Sequence, residues 1–230
     1  AVTLLSARLD DPFGYGRVIR GEDGAVAAVV EERDADEAQR AVCEINSGAY
    51  WFDAAFLAKA LEGLTPKNAQ GEYYLTDTVA ASNAAGLRAG AFVCADADMT
   101  LGANDRRQLR TLNEIARMRV LERHLDNGVD IPCFDGVMIA PDVQIEHDAQ
   151  VLPGTVLRGN TRIGAHSVIG PNSYVENSII GADTRVLASY ITDSTVGSGT
   201  RIGPFTQLRP DSHIGDGVKI GDFVEIKNST

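Results

Sequence analysis

An aliphatic residue recurs at almost every sixth position from Ile139 to Ile226, a period that matches neither an α-helix nor an ordinary β-strand. Three steps in the middle have five residues and the others have six. A six-residue unit forms one flat face of a triangular coil, so three units complete a turn and successive turns stack at about 4.8 Å. The repeat therefore predicts a left-handed parallel β-helix. Its anchors are Ile139, Ile145, Val151, Leu157, Ile163, Ile169, Val175, Ile180, Val186, Ile191, Val196, Ile202, Leu208, Ile214, Ile220 and Ile226.

Two further features of the repeat support this architecture. Four residues after most anchors stands a small or β-branched residue, such as Thr155, Ser167 or Val218, and we expect both positions to point inward. Glycine directly follows several anchors, as at Gly164 and Gly215, near where the backbone must turn a corner. The agreement of so many units in one phase makes chance a poor explanation.

Length and composition indicate the class of protein. The chain has 230 residues, enough for two modest domains, and its 44% hydrophobic and 23% charged residues are typical of a soluble globular protein. No apolar run approaches the length of about 18 residues that a membrane span needs, and the first residues lack a signal-peptide pattern. The three scattered cysteines have no metal-ligand spacing and indicate free thiols in a reducing cytoplasm.

The formal net charge of −11 argues against nucleic acid or an anionic membrane as a partner. It does not exclude a small phosphorylated substrate, because local Arg and Lys residues decide that. The chain begins without Met in an apolar stretch, and it ends with the six-residue phase still running and no polar or helical cap in sight. We therefore expect an internal piece of a longer protein.

Strands and helices alternate before the repeat, which is typical of an α/β sheet of mixed direction. Apolar residues at helical spacing from Leu109 to Val120, together with Leu125, predict a further helix over residues 105–127, with Asn104 or Asp105 as its cap. The predicted strands cover residues 2–8, 17–20, 25–31, 44–52 and 89–94, and the predicted helices cover residues 34–42, 54–64 and 72–85.

Six segments carry patterns that are more specific than the repeat. In order they resemble bacterial bifunctional N-acetylglucosamine-1-phosphate uridyltransferase/glucosamine-1-phosphate acetyltransferase across nearly the whole chain. The repeat alone is unspecific, since many acyltransferases use it, whereas the fourth segment is far more discriminating. The segments are LDDPFGYGR from Leu9, VEERDA from Val30, INSG from Ile45, NAQGEYYLTD from Asn68, GANDR from Gly102 and IGPFTQLRP from Ile202.

The resemblance implies the arrangement of domains. Residues 1–106 are expected to form the C-terminal, sugar-binding part of an α/β nucleotidyltransferase-like (uridyltransferase) domain, and residues 107–130 a linker helix. Residues 131–230 are expected to form the N-terminal part of a left-handed β-helix acetyltransferase domain built of hexapeptide repeats. By the same resemblance the protein forms homotrimers through this β-helix.

The resemblance also implies two reactions toward peptidoglycan and lipopolysaccharide precursors. An acetyl group passes from acetyl-CoA to glucosamine-1-phosphate, and the acetylated sugar phosphate then attacks UTP to give UDP-N-acetylglucosamine and pyrophosphate, with Mg²⁺ as cofactor. In similar proteins the triphosphate-binding loop and the catalytic histidine lie outside the range that this chain covers. We therefore expect no catalytic residue within the chain and no activity from the chain alone.

Four positions before the repeat match the family's sugar site. Gly16 matches the residue whose backbone meets the sugar acetamido group, and Glu31 matches one that accepts hydrogen bonds from sugar hydroxyls. Asn46 matches a further sugar contact, and Asn104 matches a Mg²⁺ ligand that also meets the nucleotide sugar. Without the resemblance, Gly16 would be assigned to a hairpin turn, Glu31 to a solvated charge run and Asn46 to a turn, whereas Asn104 can serve both as a helix cap and as a metal ligand.

In the repeat, Arg209 and Lys227 match positions that bind the sugar phosphate. They follow anchors that are three units apart, so we expect them on one edge in adjacent coils, about 5 Å apart along the axis. Stacked cations repel each other and bring the coil no structural gain, whereas a bound phosphate would neutralise both. The alternative is that each is an ordinary solvated surface residue.

The histidines offer no general base in this reading. His124, His147, His166 and His213 are all expected on the surface, and no pair has convincing ligand spacing. Two other functions stay open. One is a different sugar-1-phosphate nucleotidylyltransferase with a regulatory β-helix, which the segment from Asn68 argues against, and the other is a non-catalytic trimerisation scaffold.

Overall fold

The computed structural model describes residues 1–103 and 105–230, so Asn104 lies outside the described residues. The chain divides into two compact units, Ala1–Leu112 and Asn113–Thr230. Each unit has its own hydrophobic core among the described residues.

Unit 1 is built on a five-stranded sheet. Its elements are β1 (Val2–Arg8), β2 (Arg17–Arg20), β3 (Val26–Val30), α1 (Glu37–Arg40), β4 (Glu44–Phe52), α2 (Ala54–Glu62), α3 (Asp77–Ala84), β5 (Ala89–Val93) and a 3₁₀ turn at Ala97–Thr100. The strand order is β3-β2-β4-β1-β5, with β1 antiparallel to β4 and parallel to β5. The sheet is therefore mixed, as predicted, and its core is formed by Val2, Leu4, Val18, Val26, Val29, Val79 and Ala89.

Two predicted helices are shorter than expected because other hydrogen bonds, from a backbone turn in one case and a side chain in the other, take up the local backbone groups. In place of a helix from residue 34, the N–H groups of Asp34 and Ala35 both donate to the carbonyl of Glu31, which makes a turn, and α1 starts only after its cap, Asp36. In place of a helix from residue 72, the Asn68 side chain accepts from two backbone N–H groups of its loop, and α3 starts at Asp77.

Unit 2 is a parallel β-helix of the left-handed hexapeptide class, as predicted. Its short strands form three flat parallel faces. Face 1 holds β7 (Gln144–Ile145), β10 (Arg162–Ile163), β13 (Ile179–Ile180), β16 (Thr195–Val196) and β19 (His213–Ile214). Face 2 holds β8 (Gln150–Val151), β11 (Val168–Ile169), β14 (Arg185–Val186), β17 (Arg201–Ile202) and β20 (Lys219–Ile220). Face 3 holds β6 (Met138–Ile139), β9 (Val156–Arg158), β12 (Tyr174–Glu176), β15 (Tyr190–Thr192), β18 (Gln207–Leu208) and β21 (Glu225–Ile226).

The anchors stack in register down each face. Ile163 pairs with Ile180 and Ile180 with Val196, so a turn that contains a five-residue step keeps the stack intact. Those shorter steps place serines that the repeat analysis did not assign to the interior, Ser178, Ser189 and Ser194, on the inside of the coil.

The second inward position is filled largely by hydroxyl residues, and their hydroxyls bond to the backbone of the next coil. Ser167 Oγ donates to the carbonyl of Gly181 and accepts from the N–H of Thr184, and Thr184 Oγ1 is bonded in the same way one coil further on. Val218 occupies the same column, since its N–H donates to Thr200 Oγ1, but it is 37% exposed and lies in the last coil of the described residues.

The helix predicted over residues 105–127 is α4 (Arg106–Asp126), and Asp105 caps its start by accepting from the N–H groups of residues 107 and 108. The predicted apolar stripe is wrong in part, since Leu109 is 50% exposed. The buried side chains of α4 are Leu121, which belongs to the β-helix core, and His124. His124 is therefore not a surface residue, and burial, with the nearby Arg123 charge, lowers its pKa.

Within residues 1–103 and 105–230 no helix has the length and apolar character needed to cross a membrane. Cys43, Cys94 and Cys133 are all free thiols, as expected.

We expect the substitution Gly164→Ala to destabilise the β-helix by about 1–3 kcal/mol or more, because the added Cβ would lie 2.5 Å from the backbone nitrogen of Ala182 in the next coil. Gly215→Ala is the matched control, because it occupies the same column in the last coil and its Cβ would meet nothing closer than 4.0 Å. Urea unfolding followed by circular dichroism compares the two variants. Equal losses of stability would contradict the stacking argument.

Candidate functional sites

The structure brings together three of the four residues predicted for the site before the repeat. The N–H of Asn46, on β4, donates to the carbonyl of Gly16 at 2.8 Å. A Cβ on Gly16 would lie 3.3 Å from Oε2 of Glu31, so the Glu31 carboxylate directly faces the Gly16 backbone. Gly16 is buried, whereas Glu31 and Asn46 are half-buried. A glycine at this point leaves the carboxylate accessible from the loop side.

The Glu31 carboxylate sits in an environment that opposes its ionisation. Burial is the main cause that raises its pKa above the usual range, and the charges of Asp34 and Asp77 add to this effect. One hydrogen bond acts in the opposite sense, because Thr76 Oγ1 donates to Glu31 Oε1 at 3.2 Å. Thr76 is itself buried, at 5% exposure, so the hydroxyl is held in place for this contact.

Tyr50 lies close to both Asn46 and Glu31. Burial raises the pKa of Tyr50 to about 12, the Asn46 side chain acts against this shift, and the Glu31 charge adds to it. The Tyr50 ring stacks on Phe52 with centroids 5.4 Å apart. The phenol therefore stays protonated at neutral pH, as a hydroxyl next to the amide and the carboxylate.

The segment from Asn68 folds onto Asp34 and forms one wall of a cavity beside Glu31. The N–H of Ala69 and the hydroxyl of Tyr74 each donate to an oxygen of the Asp34 carboxylate, at 2.8 and 3.1 Å. The cavity has a volume of about 290 Å³, and its polar lining comes from Glu31, Asp34, Lys67, Asn68, Tyr74, Thr76 and Asp77. Three carboxylates against one ammonium favour a ligand that presents hydroxyl or amide donors at this point.

The fourth predicted residue, Asn104, lies outside the described residues. Among the residues that the structure does describe, no three His, Cys, Asp or Glu side chains converge on a point that could hold a metal ion. A Mg²⁺ ion bound to this unit would need donors beyond the side chains that the described residues bring together, such as water or substrate phosphate oxygens.

The second predicted site lies on face 3 of the β-helix. Leu208 pairs in register with Ile226, so Arg209 and Lys227 follow paired anchors in adjacent coils. Arg209 also has a partner of opposite charge, because its Nη1 donates to Glu225 Oε1 at 2.9 Å. Arg209 and Glu225 both remain about half exposed, so the ion pair contributes little to stability.

The sequence alone pointed to Gly16, Glu31 and Asn46 but missed Thr76, Tyr50 and Glu225. Thr76 lies within a recognised segment, where its hydroxyl gives no periodic signal. Glu225 directly precedes an anchor and pairs in register with Gln207, so it lies one coil away from Arg209 on the diagonal, two residues along the strand. That signal was available from the phase of the repeat.

These features define a protein class in which an α/β unit with an acidic, hydroxyl-lined cavity precedes a hexapeptide-repeat β-helix. A family model described as "GMPPB C-terminal domain" matches residues 139–230, which lie within the β-helix. The chain is 48% identical over 210 residues to "Bifunctional protein GlmU" of Caldanaerobacter subterraneus subsp. tengcongensis, a match that covers 91% of this chain and 46% of that protein. It is 45% identical over 229 residues to the protein of that name from Exiguobacterium sp., covering 100% and 51%.

The predicted resemblance is confirmed, and by sequence the chain is a relative of the bifunctional GlmU proteins. It spans about half the length of the curated relatives it matches. Among solved structures, the acetyltransferase domain of PglB from Neisseria gonorrhoeae FA1090 matches with 18% identity and a TM-score of 0.34, over 61% of this chain and 63% of that one.

We expect Thr76→Val to raise the pKa of Glu31 further. The substitution removes a hydrogen bond that favours the charged carboxylate, while burial and the neighbouring acidic groups remain. A carbon-detected NMR titration of the side-chain carboxyl groups measures the shift. Thr65→Val, at an exposed threonine, is the control and should leave the Glu31 titration in place. An unchanged or lower pKa of Glu31 in Thr76→Val would show that the hydroxyl does not stabilise the carboxylate.

Proposed function

We propose that this chain is part of an enzyme that makes UDP-N-acetylglucosamine by acetyl transfer and uridylyl transfer. In this proposal unit 1 binds the N-acetylglucosamine moiety, and face 3 of the β-helix binds glucosamine-1-phosphate. The observation that carries the proposal is the convergence of Gly16, Glu31 and Asn46, which are far apart in sequence, around one loop. The confirmed relationship to the bifunctional proteins supports it.

The α/β unit has the chemistry of a site for a neutral sugar. The carboxylate oxygens of Glu31 can accept hydrogen bonds from sugar hydroxyls. One of them, Oε1, already accepts a hydrogen bond from the Thr76 hydroxyl. The amide of Asn46 can both donate and accept, which suits an acetamido group. The backbone around Gly16 can approach the ligand closely because no side chain intervenes. We infer from this that the unit is the sugar-binding part of a nucleotidyltransferase-like domain.

In the uridylyl step a phosphate oxygen of N-acetylglucosamine-1-phosphate attacks the α-phosphorus of UTP, and pyrophosphate leaves. This reaction needs placement of the phosphates in line more than it needs a protein nucleophile. The role of this chain in the uridylyl step is to hold the sugar, so that the phosphate attached to it stays in a fixed position. Mg²⁺, with Asn104 as a ligand, remains a proposal that the resemblance supports.

In the acetyl step the amine of glucosamine-1-phosphate attacks the acetyl carbonyl of acetyl-CoA, and the CoA thiol leaves. Arg209 and Lys227 are proposed to bind the phosphate, with Arg as a planar fork and Lys as a point charge. Glu225 suits the other end of the same ligand, since an amino sugar phosphate carries an ammonium group as well as a phosphate. A homotrimer, which the resemblance implies, would set this edge beside a second copy of the β-helix.

The sugar site is tested by binding. We expect N-acetylglucosamine-1-phosphate to perturb the amide NMR signals around Gly16 and Asn46 in this chain, and Glu31→Gln to weaken binding about tenfold to a hundredfold, as for loss of a hydrogen bond to a charged group. Glu22→Gln, at an exposed turn between β2 and β3, is the matched control. Wild-type affinity in Glu31→Gln, or no perturbation around Gly16, would contradict the assignment.

The phosphate edge is tested in the whole enzyme of which we propose that this chain is a part. Arg209→Ala or Lys227→Ala should lower kcat/KM for acetyl transfer at least tenfold and leave uridylyl transfer nearly unchanged, because the two proposed sites lie in different units. The control is Arg201→Ala, which removes an exposed cation from face 2. Separate assays of the two reactions give the readout, and acetyl transfer at near wild-type efficiency in both variants would exclude this edge as the phosphate site.

A further inference from the structure

Tyr15, between the two glycines of the loop at Gly14–Gly16, has all three of its polar groups engaged. Its N–H donates to the carbonyl of Pro12 at 3.2 Å, and its carbonyl accepts from Nη1 of Arg17. Its hydroxyl accepts from the N–H of Gly102 at 3.2 Å and lies 3.5 Å from the carbonyl oxygen of the same residue. A single half-buried side chain thus ties the sugar-site loop to a segment 87 residues away in sequence.

The inner side of the loop is held by a buried ion pair. Arg17 is 2% exposed, and its Nη2 donates to Oε2 of Glu32 at 2.7 Å. The same carboxylate oxygen accepts from the N–H of Gly14 at 3.1 Å. These contacts fix the backbone of the loop from below, but they do not reach the segment at Gly102. Among the described residues, the Tyr15 hydroxyl makes a hydrogen bond that does.

The loop needs such support because its glycines cost more conformational entropy to order than other residues do. Gly14 has a φ of +86°, a conformation that other residues rarely adopt, and Gly16 must stay free of a side chain beside Glu31. The loop therefore cannot be stiffened by replacing its glycines. A hydrogen bond from outside the loop supplies the order instead.

We propose that Tyr15 is a positioning residue of the sugar site, which acts through Gly16 by clasping the backbone of Gly102. This inference rests on the proposed sugar-binding function of unit 1. The clasp keeps two segments at a fixed distance from each other. One is the loop that meets the acetamido group, and the other leads to the predicted metal ligand. The two sides of the site are thereby set before the ligand binds, and the ordering entropy is not lost at the binding step.

The test is Tyr15→Phe, which keeps the ring and removes only the hydroxyl. In the ¹⁵N-labelled chain the amide of Gly102 should exchange with solvent several-fold faster, because its hydrogen-bond acceptor is gone. Affinity for N-acetylglucosamine-1-phosphate should fall about threefold to tenfold, the size expected for one neutral hydrogen bond. The thermal midpoint should stay within about 2 °C of wild type, which separates positioning from a general loss of stability.

The matched control is Tyr73→Phe. It removes a hydroxyl from a tyrosine that is 69% exposed, and it should change neither the exchange of Gly102 nor the affinity.

The outcomes distinguish this inference from the function on which it rests. Faster exchange at Gly102 and weaker binding in Tyr15→Phe, with an unchanged thermal midpoint, support the role of Tyr15. Unchanged exchange at Gly102, or binding as tight as in wild type, overturns it. Failure of the wild-type chain to bind N-acetylglucosamine-1-phosphate contradicts the proposed function itself, and the clasp is then judged by the exchange of Gly102 alone.

Discussion

Hydrogen bonding from each coil of the β-helix to the next is the constraint on which unit 2 depends. The strands on each face are only two or three residues long, and such strands cannot form a stable sheet in isolation. They persist because every turn presents its backbone groups to the turns on either side. Inward hydroxyls extend this pattern, since Ser167 and Thr184 bond to the backbone of the following coil and so satisfy polar groups within the core.

The same constraint explains why particular positions accept glycine and no larger residue. A Cβ on Gly164, Gly181 or Gly197 would collide with the backbone one coil further on, because adjacent corners approach within a distance that admits no side chain. Five-residue steps are tolerated because a residue is removed at a corner while the anchor and its partner stay paired, as at Ile180 and Val196. Length can vary at the corners, but the stacking distance cannot.

Unit 1 meets a different requirement, which is to hold acidic side chains close together without losing order. Asp34 is tied down by Ala69 and Tyr74, and Glu31 by Thr76, so both carboxylates are fixed by donors from the segment that begins at Asn68. Burial of Glu31, with a smaller contribution from the charges of Asp34 and Asp77, raises the pKa of its carboxyl group. A ligand with hydroxyl and amide donors would oppose this shift, which is the physical link between the proposed sugar site and its surroundings.

The sequence by itself determined the β-helix, the phase of its anchors and the equivalent positions of Arg209 and Lys227, because a period of six has one structural solution and the phase propagates through every turn. It also marked Gly16, Glu31 and Asn46, through a resemblance and not through any periodic pattern. Only the tertiary structure decided that Asp34 accepts hydrogen bonds from Ala69 and Tyr74, that His124 is buried and that Arg209 is paired with Glu225. These facts depend on contacts between residues distant in sequence or in adjacent coils, where local propensity carries no information and packing sets the result.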